Sequence, residues 1–332
     1  MKKLWCVILA TILPVLSLTG CGSTQPAASG TKLTLNEVAH SIFYAPQYAA
    51  IELGYFKEEG IDLTLVNGAG ADKVMTALLS GDADIGFMGS EASIYTYANG
   101  AEDYAVNFAQ LTQRAGNFLV GRQEDPGFTW DKLNGRKVLG GRAGGMPEMV
   151  FEYILKKHGM NPQTDLTIDQ SIQFGLTAAA FTNGDADYTV EFEPFASGLE
   201  LEGKGCVVAS LGTESGYVPY TAYCAKRSYM DAHPELIQKF TNAIQKGMDY
   251  VNSHSAEEIA KTIQPQFKET PLEKITVIVD RYKDQDTWKK DLIFEKESFE
   301  LLENILEESG ELKERVPYED LVVRKFAEEA AK

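Results

Sequence analysis

The stretch Leu78-Leu79-Ser80-Gly81-Asp82-Ala83-Asp84-Ile85-Gly86 contains a tetrapeptide that recurs 103 residues later as Gly184-Asp185-Ala186-Asp187. Each copy follows a stripe of apolar residues at helical spacing. Each copy also precedes a short apolar run, Ile85–Met88 or Tyr188–Phe192, that is typical of a strand. The glycine of each copy can end its helix in a left-handed cap. The repetition predicts two copies of one helix–turn–strand unit.

The repeat extends upstream of the tetrapeptide. Tyr44-Ala45-Pro46 and Gly145-Met146-Pro147 each open a predicted helix, after strand candidates at 32–38 and 137–139. Gly60 and Gly159 end these helices, and strand candidates at 62–66 and 166–168 follow. A chance repetition of Gly-Asp-Ala is the alternative, but agreement of several elements at offsets of 99 to 103 residues disfavours it. The alternation predicts an α/β protein with mostly parallel sheets flanked by helices.

The two copies predict two lobes. Lobe one comprises residues 31–119 and 217–332, and lobe two comprises residues 120–216. Strand candidates at 118–122 and 220–225 form the crossovers, and three apolar-striped helices near the C-terminus are expected to return to lobe one. Ligands of open α/β sheets bind beyond the carboxyl ends of the strands, so two facing sheet edges make a cleft that can close.

The first thirty residues indicate export and anchoring. Lys2 and Lys3 precede a 15-residue apolar run that is too short to span a membrane. The run ends in Leu18-Thr19-Gly20-Cys21, which matches a bacterial lipobox. We expect residues 1–20 to be a signal peptide, Cys21 to be lipidated, and residues 21–30 to be a flexible tether. An ordinary secretory signal with a chance cysteine is the alternative.

Composition excludes some partners and chemistries. The formal net charge of −17 disfavours nucleic acid and anionic membrane surfaces. No HExxH pair, GxxxxGK[ST] loop or GxSxG elbow is present, so we expect no metal, no cofactor and no catalysis. Cys206 and Cys224 either pair outside the cell or are two small buried residues.

Three segments resemble a known family. Residues 41–50, 53–62 and 78–86 look like the ABC-importer substrate-binding lipoproteins that bind nitrate, sulfonates, taurine or the pyrimidine precursor of thiamine. The resemblance implies a two-lobed periplasmic-binding-protein fold of type II that closes on a small solute. It also implies a monomer, lipid-anchored on the extracytoplasmic face of the cell membrane, that docks on permease and ATPase subunits.

Segments just after predicted strands supply the candidate ligand-binding residues, and residues 171–173 are among the cleft segments. Tyr44 is expected to stack on a flat ring, with Phe43 in the core. Glu191 and Glu193 alternate with Phe192 and are expected to accept hydrogen bonds from the ligand. The full set is Tyr44, Ser90, Glu91, Gln110, Asn117, Arg142, Gly144, Gly145, Glu148, Glu191 and Glu193.

Several of these residues have ordinary alternatives. Gly144 and Gly145 either present backbone N–H groups to a ligand or serve a tight turn. Glu148 either faces the ligand or offsets a helix dipole. Arg142 either binds an anion or is a solvated loop charge.

The acids favour a neutral or cationic, flat, nitrogen-bearing ligand such as an aminopyrimidine of the thiamine-precursor type. The alternative is a sulfonate, taurine or nitrate anion held by Arg142, Ser90, Gly144 and Gly145. A pyrimidine synthase-like enzyme and a purely structural lipoprotein are disfavoured. The lipobox and the absence of a cleft histidine argue against the enzyme, and the duplicated lobes argue against the structural protein.

Overall fold

A computed structural model describes residues 30–172 and 175–332. The predicted signal peptide, the lipidated Cys21 and the tether up to residue 29 lie outside the described residues, as does Gln173 of the predicted cleft. Within the described residues, no helix is both long enough and apolar enough to cross a membrane.

The described residues form ten strands in two five-stranded sheets. The strands are β1 (Thr31–Glu37), β2 (Ile61–Asn67), β3 (Ile85–Met88), β4 (Ala105–Thr112), β5 (Asn117–Gly121), β6 (Lys137–Leu139), β7 (Thr167–Asp169), β8 (Tyr188–Phe192), β9 (Cys206–Ser210) and β10 (Thr221–Lys226).

Helices flank both sheets. They are α1 (Ala45–Glu52), α2 (Tyr55–Glu58), α3 (Ala71–Ser80), α4 (Glu91–Ala98), α5 (Met146–Lys157), α6 (Thr177–Asn183), α7 (Phe195–Leu201), α8 (Leu211–Glu214), α9 (Arg227–Ala232), α10 (Pro234–Ser253), α11 (Ala256–Ile263), α12 (Leu272–Asp284), α13 (Lys296–Ser309), α14 (Tyr318–Leu321) and α15 (Lys325–Ala330). Short 3-10 turns occupy Ile42–Tyr44, Trp130–Leu133 and Gln264–Gln266.

The two sheets have equivalent strand orders, β2-β1-β3-β10-β4 and β7-β6-β8-β5-β9. In each sheet the first three strands are parallel, and the fourth runs antiparallel to both of its neighbours. Four of the five strands therefore point the same way, and the predicted α/β class is confirmed.

The chain crosses between the sheets twice. β5 leaves the first half of the chain to become the antiparallel strand of the second sheet, and β10 returns to the same place in the first sheet. The predicted lobe boundary at residue 119 falls within β5. Because β5 pairs with β8 and β9 along its length, the whole strand belongs to the second sheet. The division into lobes that close on one another stays a prediction.

The last residue of each repeated tetrapeptide explains why the motif recurs. The Asp84 carboxylate accepts a hydrogen bond from the backbone N–H of Thr34 at 2.8 Å, and the Asp187 carboxylate accepts one from Lys137 at 2.9 Å. The same two pairs are joined again by backbone hydrogen bonds of 3.0 and 2.8 Å. In both halves an aspartate thus ties the end of a helix turn to the first strand of the parallel ladder.

The glycines of the motif differ. Gly81 has a φ of +87° and ends α3 in the left-handed region, as predicted. Gly184 has a φ of −106° and is extended, so the predicted left-handed cap is wrong there. A side chain at position 184 would instead lie 2.7 Å from the carbonyl oxygen of Ala180.

The C-terminal helices contact both sheets rather than only the first. Arg281 of α12 forms ion pairs with Glu193 and Glu200, at 2.7 and 3.1 Å, on the side of the second sheet. Helix α13 packs against α5, whereas α15 packs against α10 and β4. Contacts of α12 and α13 thus reach elements of the second half, and the assignment of these helices to lobe one stays a prediction.

The two cysteines within the described residues are free. They lie on strands of different sheets, Cys206 on β9 and Cys224 on β10. Cys224 is buried, and burial raises the pKa of its thiol to about 12. Of the two alternatives, the structure supports unpaired residues.

Candidate functional site: a cavity between the two sheets

A cavity of about 90 Å³ lies where the carboxyl ends of the parallel strands of both sheets meet. Loops after β1, β2 and β3 form one wall, and the loop after β6 together with the end of β8 forms the other. Five of the predicted residues line it: Tyr44, Glu91, Asn117, Arg142 and Gly145. The other six lie outside this lining.

Tyr44 presents the aromatic surface of the cavity. Its side chain is 3% exposed, and its ring meets Phe87 edge to face, with ring centroids 4.5 Å apart. Its hydroxyl forms no hydrogen bond with the described residues. Phe43 is fully buried in a cluster with Phe192, Tyr220 and Tyr282 and is not part of the cavity lining. Of the two adjacent rings, only Tyr44 is available to a ligand.

Glu91, the first residue of α4, places a carboxyl group in the cavity wall. The residue is 3% exposed, and its Oε2 atom is buried without a hydrogen-bond partner. Burial raises the pKa of Glu91 to about 7, although backbone N–H groups, including that of Met146, and the charge of Arg142 act to lower it. A buried acceptor without a partner is unusual in a folded protein, so this atom can accept a hydrogen bond from a donor that the described residues do not supply.

Gly89 makes room for this carboxyl group. A methyl group on Gly89 would lie 2.1 Å from Oε2 of Glu91. A glycine two residues before the acid is therefore required for the observed position of the carboxyl group.

Asn117, at the start of β5, contributes a complementary donor. The residue is 1% exposed, and its Oδ1 atom accepts a hydrogen bond from the hydroxyl of Tyr220. Its Nδ2 atom is buried without a partner. Two residues that line the cavity, both predicted from the sequence, therefore carry a buried polar atom without a partner, one an acceptor and one a donor.

The wall from the second sheet is mainly apolar. Val190 and Phe192 of β8 line the cavity, together with Thr177 of α6. Because side chains alternate along a strand, Glu191 lies on the opposite face. It accepts a hydrogen bond from Thr189 at 2.6 Å, and burial raises its pKa to about 7. Glu191 was expected to face the cleft, but its neighbours Val190 and Phe192, one position away along the strand, line the cavity instead.

Glu193 also lies outside the cavity lining. Its carboxylate accepts hydrogen bonds from the backbone and hydroxyl of Ser197, at 2.9 and 2.7 Å, and pairs with Arg281. The Glu193 carboxylate is therefore engaged by other residues of the protein. In contrast to the expectation from the sequence, Glu193 fixes the start of α7 against α12.

The N–H groups of the two glycines before α5 donate hydrogen bonds to neighbouring residues of the protein. Gly144 has a φ of +69°, and its N–H donates to Glu148 Oε2 at 3.2 Å. The N–H of Gly145 donates to the carbonyl of Arg142. The tight-turn alternative therefore describes these glycines, although Gly145 still lines the cavity.

Glu148 lies behind the cavity and organises this loop. Besides Gly144, its carboxyl group accepts a hydrogen bond from Gln170 at 2.7 Å. Burial and the neighbouring Glu152 raise the pKa of Glu148 to about 8. Glu148 lies in the first turn of α5, but a carboxyl group with a pKa near 8 is mainly uncharged at neutral pH, so the helix-dipole alternative does not describe it.

Arg142 lies at the mouth of the cavity. Its side chain is exposed, and its guanidinium group forms no ion pair or hydrogen bond with the described residues. It is the one predicted cation of the site, and it remains free to approach a ligand.

Ser90 and Gln110 support the site from outside. The Ser90 hydroxyl donates to the carbonyl of Pro219, and the Gln110 amide donates to the carbonyl of Thr112 at 3.0 Å. Both side chains are almost fully buried. The Ser90 contact joins the residue before α4 to the segment before β10, whereas the Gln110 contact stays within β4.

A polar network that sequence analysis missed supports the loop after β1. Glu37 is 1% exposed and accepts hydrogen bonds from Gln47 at 2.7 Å and from Tyr48 at 2.9 Å. His40 lies 2.8 Å from the same carboxylate, which raises the pKa of His40. The acid near the end of the strand candidate at 32–38 was the available signal. The network holds the loop that carries Tyr44.

Comparison with known proteins places the chain in a family. Residues 42–258, more than half of the chain, match the family model described as NMT1/THI5 like. A binding protein of Bacillus subtilis (strain 168), YtlA, is 46% identical over 90% of this chain and 89% of its own length. The chain therefore belongs to the NMT1/THI5-like family, which confirms the resemblance drawn from the sequence.

More distant matches extend the comparison. The 4-amino-5-hydroxymethyl-2-methylpyrimidine phosphate synthase of Aspergillus parasiticus is 28% identical over 64% of each chain. The alkanesulfonate-binding protein SsuA of Xanthomonas axonopodis pv. citri, solved with MOPS bound, superposes with a TM-score of 0.72 at 17% identity, over 90% of this chain and 99% of that one. The superposition confirms the periplasmic-binding-protein type II fold.

Proposed function

We propose that the protein is the substrate-binding component of an ABC importer and captures a small, flat, nitrogen-bearing solute of the aminopyrimidine class. The observation that carries the proposal is that two residues lining the cavity each have a buried polar atom without a partner, Glu91 Oε2 and Asn117 Nδ2. Membership of the NMT1/THI5-like family supports the importer role. So does the 46% identity to a relative named as a binding protein.

The two atoms suit the edge of an aminopyrimidine. Such a ring carries an amino donor next to a ring-nitrogen acceptor, so it can donate to Glu91 and accept from Asn117 or from a protonated Glu91. With a pKa near 7, the carboxyl group can supply or accept the shared proton at neutral pH. Tyr44 and Phe192 offer aromatic surface to the ring. Affinity should fall as the pH rises above 7, because the carboxyl proton is then lost.

A binding role fits these residues better than catalysis. The synthases in the family are 24–28% identical, well below the binding protein. In the described part of the chain, no group of three or more metal-ligating side chains is present. His40, the histidine nearest the cavity in sequence, is engaged with Glu37 and with the carbonyl of Gln266 at 3.0 Å.

The remaining parts of the proposal concern the cell. Residues 1–20 would be removed, Cys21 would carry lipid, and the tether would hold the binding unit at the extracytoplasmic face of the membrane. The two lobes would close on the solute and deliver it to the permease. The protein would act as a monomer.

A sulfonate or nitrate anion is the second candidate, and the free guanidinium of Arg142 favours it. Against it, the N–H groups of Gly144 and Gly145 are used within the loop, and that of Met146 acts on Glu91. An anion in the cavity would also meet the Glu91 carboxyl group at close range.

Titration calorimetry at pH 6.5 tests the proposal. We expect 4-amino-5-hydroxymethyl-2-methylpyrimidine to bind with one-to-one stoichiometry, and ethanesulfonate and nitrate to give no heat. At about 100 times its dissociation constant, the pyrimidine should stabilise the fold by about 2.7 kcal/mol. Binding of ethanesulfonate without binding of the pyrimidine would overturn the proposal in favour of the second candidate.

A further inference from the structure

A second, larger recess adjoins the cavity. It is an open groove of about 470 Å³ between α3 and α4, and it shares Ala71, Asp72, Glu91 and Arg142 with the cavity lining. The two spaces therefore meet at one wall, which contains the acid that carries the proposed ligand contact. A ligand that contacts Glu91 from the cavity therefore lies next to the groove, and a substituent reaches it where the shared wall gives way.

The sizes of the two spaces point to a ligand larger than one ring. Sites for small molecules in proteins commonly measure about 300–1,000 Å³. The cavity alone, at about 90 Å³, is far below this range, whereas the cavity and groove together fall within it. The cavity is the place for the ring, and the groove has room for a substituent.

The groove lining indicates the chemistry of that substituent. Beyond the shared wall the groove lining is uncharged: it contains the apolar Met75, Leu79, Ala92 and Ala101, the neutral polar Tyr95, Thr96 and Asn99, and Gly100. Such a surface stabilises an uncharged, largely apolar chain through burial, and it offers no counter-ion along its length.

We propose that the natural ligand is an aminopyrimidine-type ring bearing an uncharged, largely apolar arm, with the ring in the cavity and the arm in the α3–α4 groove. This inference rests on the proposed function, because the ring contact at Glu91 fixes where the arm begins. It adds a binding subsite formed by the first half of the chain alone, apart from Arg142.

The test compares two ligands by calorimetry: 4-amino-5-hydroxymethyl-2-methylpyrimidine and its butyl ether, 4-amino-5-(butoxymethyl)-2-methylpyrimidine. Each buried methylene is worth roughly a fourfold gain in affinity. The groove is open on one side, so we expect the ether to bind about tenfold or more tightly than the alcohol. An ether that binds no more tightly than the alcohol would overturn the inference and leave the proposed function intact.

Two matched variants locate the arm. Thr96 lines the groove and Thr76 does not, although each hydroxyl donates to the carbonyl four residues earlier at 2.7 Å. Thr96→Trp fills the groove and should lower the preference for the ether at least fivefold, whereas Thr76→Trp should retain it. Equal preference in both variants would place the arm elsewhere and overturn the inference. If neither ligand binds the wild-type protein, both proposals are wrong.

Discussion

The two halves of the molecule share their strand order and the aspartate contacts that join helix turn to strand. They differ in the residues that follow the strands. Asp84 and Asp187 make the same pair of contacts to the first strand of their sheets, and the strand orders are equivalent. At the offsets that align the repeats, however, Tyr44 corresponds to Gly145 and Glu91 corresponds to Pro194. At these two aligned positions, the first half supplies an aromatic ring and an acid, whereas the second half supplies glycine and proline.

This contrast teaches where selection for binding acts on a duplicated fold. Residues that hold strands and helix turns together serve both copies equally. Residues that follow the strands are free to change, because they lie at the sheet edge and carry little of the packing. A site between two copies can therefore take different polar groups from each, here the Glu91 acid after a strand of the first sheet and the Asn117 amide on β5 of the second.

The largest expected effect is a loss of ligand affinity when Glu91 is substituted, which substitution of the other buried acid, Glu191, should not cause. Glu91→Gln should lower the affinity for the aminopyrimidine about 100-fold, because a charge-assisted hydrogen bond in a buried site is worth about 1.5–3 kcal/mol. Glu191→Gln is the matched control, since Glu191 is equally buried and its pKa is also raised to about 7. Calorimetry that finds equal losses in the two variants would contradict the division of roles.

The second prediction concerns stability and pH. The pKa of Glu191 is raised in the folded state, so its protonated form is favoured there, and its contribution to stability is lost as the pH rises from its unfolded pKa to about 7. From pH 5 to pH 7 the wild-type protein should lose about 2 kcal/mol of unfolding free energy relative to Glu191→Gln. Denaturant titrations at the two pH values measure this difference, and parallel pH profiles would refute it.

The third prediction tests the shared frame. Asp84→Ala and Asp187→Ala each remove the acceptor of a partly buried backbone N–H. Each variant should lose about 1–2 kcal/mol of unfolding free energy, and the two losses should agree within about 0.5 kcal/mol. Denaturant titration of both variants measures this, and a loss in only one half would show that the motif is not equivalent in the two copies.

The smallest expected effect distinguishes the two motif glycines. Gly81 has a positive φ and open space around its Cα, so Gly81→Asn should cost less than Gly81→Ala, because asparagine tolerates the left-handed region. Gly184 is extended but crowded by the Ala180 carbonyl, so alanine and asparagine should be equally unfavourable there. Differences of about 0.5–1 kcal/mol are expected in thermal unfolding. An advantage of asparagine at both positions would contradict the observed caps.

Sequence reasoning predicted the α/β alternation well because its signals are local. The three strand candidates at 85–88, 137–139 and 188–192 have the observed bounds. Strands β4 and β9 were missed, since neither shows clear alternation. Contacts of α12 and α13 with the second half were also missed, because packing partners distant in the chain leave no periodic signal.

For the candidate site, the sequence predicted which segments lie at the cavity better than it predicted which side chains line it. Tyr44, Glu91 and Asn117 line the cavity, but Glu191 differs by one register position and Glu193 turns to Arg281. The direction of a side chain after a strand depends on one residue of register and on its distant partners. Neither can be inferred from residue type alone.

Native mass spectrometry of the protein purified under non-denaturing conditions tests the central claim most directly, because it identifies the bound solute without choosing it in advance. The account predicts an adduct whose exact mass and fragments contain an aminopyrimidine, and predicts that this adduct is lost in Glu91→Gln and kept in Glu191→Gln. A sulfonate or nitrate adduct that survives Glu91→Gln and is lost in Arg142→Ala would contradict it.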